Sequence, residues 1–213
     1  MRLDNWMERC DIDAQAGIAV ALTTTGFTPS KGTVIGVSLA PLWKEEVYTL
    51  YVRGESAEAV DGLFKITGVS YDRYTARAQT KQDFAGEIAE LLDDAHYIAA
   101  YNVKNFFNKW LIEEAMGPFL DYPILDITSY FVGAEEGWAP GIHDFDTVYE
   151  LQDELLREFG SKRKTDLGSS GFVPMCSRYL PDTVTADKEV VTSEANALNL
   201  RQLTRRALTY DMG

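Results

Sequence analysis

"VALTTTGF", residues 20–27, is the stretch on which the reading of this chain turns. It closes an apolar run, GIAVALTTT (17–25), and opens GFTPSKG (26–32), whose glycines, proline and serine carry turn chemistry. A second apolar, β-branched run, GTVIGVSLA (32–40), follows at once, so the two form a hairpin. In EVYTLYVRG (46–54), Val47, Thr49 and Tyr51 alternate with Tyr48, Leu50 and Val52, the period of a third strand. Three consecutive antiparallel strands over residues 18–52 are expected.

Beyond them the period changes. TKQDFAGEIAELLDD (80–94) sets Phe84, Ile88, Leu91 and Leu92 on one helical stripe behind Thr80 as N-cap. HYIAAYN (96–102) reads as a buried strand and YPILD (122–126) as another, both parallel to the first. Helices are expected at 106–116, 147–160 and 192–210. Strands first and alternating elements later give an α/β fold with a mixed sheet: an antiparallel meander plus parallel edge strands, flanked by helices. The charged segment 1–17 reads as an N-terminal extension to a domain over 18–213, and 160–191, rich in Gly and Ser, as a loop-rich insertion.

Composition bounds the function. Twenty Lys+Arg against 33 Asp+Glu leave a net charge of −13, which repels phosphate backbones unless basic residues gather on one face. Lys162, Arg163 and Lys164 form the one dense basic cluster. Acidity fits a soluble surface, a basic protein partner or mimicry of nucleic acid. Cys10 and Cys176 lie far apart with two histidines in the chain, so neither a disulfide framework nor a zinc site follows. No apolar stretch approaches the roughly 18 residues needed to span a bilayer, and a cytoplasmic protein without membrane contact is expected.

The order of elements and several local strings resemble the DnaQ-like 3′-5′ exonucleases of the ribonuclease H-like fold. That family's first strand carries D-x-E-T-T-G. Here the string is Ala21-Leu22-Thr23-Thr24-Thr25-Gly26-Phe27, with both acids replaced. Gly68 and Val69 take the places of a Gly-Ile pair downstream. Tyr101-Asn102-Val103-Lys104-Asn105-Phe106-Phe107 fits the frame of the second motif, with Phe107 where a metal-binding aspartate belongs. Asp126 in ILDIT matches an aspartate that is structural in the family, and Glu194-Ala195 is the best match to the Asp-Ala pair of the last helix.

These losses bear on chemistry. The family hydrolyses phosphodiesters with two divalent ions, and Mg²⁺ or Mn²⁺ needs hard oxygen ligands, chiefly carboxylates. Alanine and phenylalanine offer none, and the Thr23 hydroxyl is neutral. The resemblance therefore implies a pseudo-exonuclease, degenerate at Ala21, Thr23, Phe107 and Glu194, that needs no cofactor and acts by binding, with a protein as partner. Beside it stand a structural subunit of a larger assembly and two further alternatives. One is a divergent exonuclease using Mg²⁺ or Mn²⁺ on relocated acids, Asp11 with Asp13 or Asp144 with Asp146. The other is a single-stranded nucleic-acid binder, with Tyr101, Asn102 and Phe107 lining the old cleft and the 162–164 cluster on phosphates.

Overall fold

The computed structural model describes residues 3–26, 29–62, 64, 68–103, 119, 122–135, 172–180 and 192–209. Among them the chain runs α1 (Leu3–Arg9), β1 (Gly17–Thr24), β2 (Val34–Pro41), β3 (Tyr48–Val52), α2 (Ala57–Gly62), α3 (Tyr71–Arg77), β4 (Ala78–Gln79), α4 (Lys81–Leu92), β5 (Tyr97–Ala100), β6 (Ile124–Asp126), α5 (Ile127–Glu135), α6 (Phe172–Tyr179) and α7 (Ser193–Thr209).

The six strands make one sheet in the order β4-β3-β2-β1-β5-β6. β1, β2 and β3 are successive antiparallel neighbours, and β5 and β6 extend the sheet parallel to β1. This is the α/β, mixed-sheet arrangement expected of a ribonuclease H-like fold. The two-residue strand β4, parallel to β3, is an addition.

Period two along β1 divides the molecule into layers. Ile18, Val20 and Leu22 point to a core completed by Phe84, Ile88 and Leu92 of α4. Thr80 starts that helix as expected, its Oγ1 accepting the Asp83 N–H at 3.1 Å. On the other side Ala40, Ala19 and Ala99 lie in register across three strands. Their small side chains let α7 lie close to the sheet, and Ala197, Leu200, Leu203 and Ala207 are buried in the same core.

α7 is held along its second half by arginine. The Arg201 side chain is only 2% exposed; Nη1 donates to the carbonyls of Lys44 (2.7 Å) and Glu46 (3.2 Å), and Nη2 meets the Glu45 carboxylate at 3.4 Å. Arg205 donates to the Leu42 carbonyl at 2.7 Å. Two guanidinium groups thus bind the β2–β3 turn to the helix.

In the N-terminal segment α1 buries Leu3 and Met7 in the core that α7 shares, and Gly17 is the first residue of β1. The described part of 160–191 holds α6, which buries Met175 and Cys176. The helices expected at 106–116 and 147–160 fall outside the described residues. Among the described residues no helix is long and apolar enough to cross a membrane.

Candidate functional site

β1 carries Ala21 and Thr23 on the face covered by α7, because residues two apart share a side of the sheet. Register continues each position across the meander: Ala21 stands opposite Ser38, which stands opposite Thr49, while Thr23 leads through Gly36 to Tyr51. The first row is joined by hydroxyls. Ser38 Oγ lies 2.9 Å from Thr49 Oγ1 and 2.8 Å from Ser193 Oγ at the start of α7. Ser38 is fully buried and Ser193 nearly so. Thr192 caps the helix there, its Oγ1 accepting the Ala195 N–H at 3.0 Å.

The second row is closed by an aromatic ring. A β-carbon on Gly36 would fall 2.8 Å from Tyr51 Cδ1 and 2.9 Å from the Leu50 carbonyl, so only glycine lets the tyrosine lie across β2. Thr23 is 3% exposed, and its Oγ1 is buried with no hydrogen-bond partner among the described residues. The position at which the resemblance expects a metal-binding acid thus holds a neutral hydroxyl shut away from solvent.

Glu194 does not join Ala21 and Thr23. Adjacent residues on a helix diverge by about 100°, and it is Ser193 that faces the sheet. Glu194 turns outward to meet Arg73 of α3, Oε2 to Nη2 at 3.5 Å, with both side chains nearly half exposed. Arg73, Arg77 and Glu194 all act on the Tyr51 phenol. Burial raises its pKa, the two arginines oppose that rise, and Glu194 adds to it. Sequence reasoning passed over Tyr51, Arg73, Arg77 and Ser193; the i,i+4 spacing of the two arginines was the available signal.

Asp126 serves a helix. Its Oδ1 accepts the Thr128 N–H at 3.1 Å and its Oδ2 the Ser129 hydroxyl at 2.8 Å, which caps α5. Burial pushes its pKa up to about 6, against the pull of hydrogen bonds from Ser129, Thr128 and the Asn102 backbone. Asn102 adopts a left-handed φ of 53° and donates its N–H to Thr128 Oγ1 at 3.0 Å. The Tyr101 ring meets Phe172 of α6 edge-on, with centroids 5.0 Å apart. Burial, aided by the Asp126 charge, pushes its phenol up to about 12.

Asp11 and Asp13 lie before β1, at the opposite end of that strand from Thr23. Asp13 shapes a turn: its N–H donates to His96 Nδ1 at 3.1 Å and its Oδ1 accepts the Gln15 N–H at 2.8 Å. With Asp4, Glu8 and Asp11 these residues line an open depression of about 500 Å³. Among the described residues no group of three or more His, Cys, Asp or Glu side chains is placed to share a metal ion. Phe107, Asp144, Asp146 and the 162–164 cluster lie outside the described residues.

No family model matches the chain, and no curated protein matches it. Solved structures do. The chain is similar to SSB/exonuclease I in complex with the inhibitor CFAM, with a TM-score of 0.42 and 15% identity over 56% of this chain and 30% of that one. It is likewise similar to E. coli exonuclease I in complex with a dT13 oligonucleotide, with a TM-score of 0.43 and 15% identity over 56% of this chain and 29% of that one. The chain spans less than a third of the length of these neighbours.

Proposed function

We propose that this protein is an exonuclease-like domain that does not hydrolyse phosphodiesters and works by binding a protein partner. The observation that carries this reading is the Ala21–Thr23 face of β1. It presents a methyl group and a sealed hydroxyl where a two-metal centre would need carboxylates, and α7 comes down on it through a Ser193–Ser38 hydrogen bond. Tyr101 is engaged by Phe172 and Asp126 by its own helix, so neither is a free ligand for a metal or a base. A net charge of −13 favours a protein over a nucleic-acid strand.

The test is hydrolysis itself. Single-stranded DNA and RNA labelled at the 3′ end, incubated with the purified protein and millimolar Mg²⁺ or Mn²⁺, are expected to stay intact, and calorimetry is expected to show no saturable Mn²⁺ binding. Metal-dependent release of the 3′ label would overturn the proposal. Mn²⁺ binding lost in Asp11→Asn/Asp13→Asn or Asp144→Asn/Asp146→Asn would move the centre to those acids instead.

A further inference from the structure

We draw no further inference here: the strongest candidate, the open depression of about 500 Å³ between α1 and the turn before β1, lined by Asp4, Glu8, Asp11, Asp13 and His96, is an acidic cluster in which nothing among the described residues points to a ligand.

Discussion

Replacing Asp126 with asparagine should make this protein more stable at neutral pH, although it removes a hydrogen-bonded carboxylate from the core. The folded pKa is about 6 against an ordinary 3.8, with burial the dominant cause. A raised carboxyl pKa means that the native state holds the proton more tightly than the unfolded chain. Stability from this group is complete below about pH 3.8 and is lost as pH rises to about 6. A shift of about two units corresponds to about 3 kcal/mol withheld from the fold at pH 7 and above. Asparagine keeps an acceptor for the Thr128 N–H, and the Ser129 hydroxyl can rotate to accept from the new amide, so the cap on α5 survives. Urea unfolding at intervals between pH 4 and pH 8 is the measurement. The variant should match the parent near pH 4, gain through pH 6, and stand about 1–3 kcal/mol above it at pH 8. A variant less stable than the parent at pH 8 would refute the reasoning, because the charge would then be contributing more through its hydrogen bonds than it loses by burial.

Three other outcomes are expected. Arg201→Met should lower stability by about 2–4 kcal/mol in urea, since the Lys44 and Glu46 carbonyls lose their donor, and Arg201→Lys should recover only part because it cannot reproduce the forked geometry. Gly36→Ala, forced to within 3 Å of Tyr51 and the Leu50 carbonyl, should cost about 1–3 kcal/mol and show as a lower melting temperature. The triple variant Ala21→Asp/Thr23→Glu/Phe107→Asp should melt below the parent without metal and rise when Mn²⁺ is added, by mass action on a restored ligand set; a folded triple variant with no shift would separate Phe107 from the β1 face.

What could be read in the sequence was what repeats locally. The alternation of Ile18, Val20 and Leu22 and the stripe of Phe84, Ile88 and Leu92 each declare a period, and the strands of the meander and helix α4 follow from them. α1 gave no such signal: Leu3 and Met7 sit among charges, and residues distant in sequence, those of α7 among them, make them core. Arg201 is the opposite case. It reads as a solvent-facing residue and becomes buried because carbonyls at 44 and 46 receive it. β4 is two residues long, too short to carry a period. The site divides in the same way. The loss of acids at 21 and 23 is written in the string itself, but a one-residue difference of register on α7 decides whether Ser193 or Glu194 meets the sheet, and packing alone sets that.

The row of alanines under α7 has a consequence for how the chain is made. The bonds that seat this helix join positions 155 to 163 residues apart, from Ser38–Ser193 to Leu42–Arg205. The β1–β3 meander can pair as soon as it is synthesised, yet the part of its face that α7 covers stays bare until translation has passed about residue 205. Through that interval the nascent protein carries an uncovered apolar sheet, the kind of surface that recruits chaperones and drives premature association. Lower growth temperature and slower synthesis should therefore raise the soluble yield.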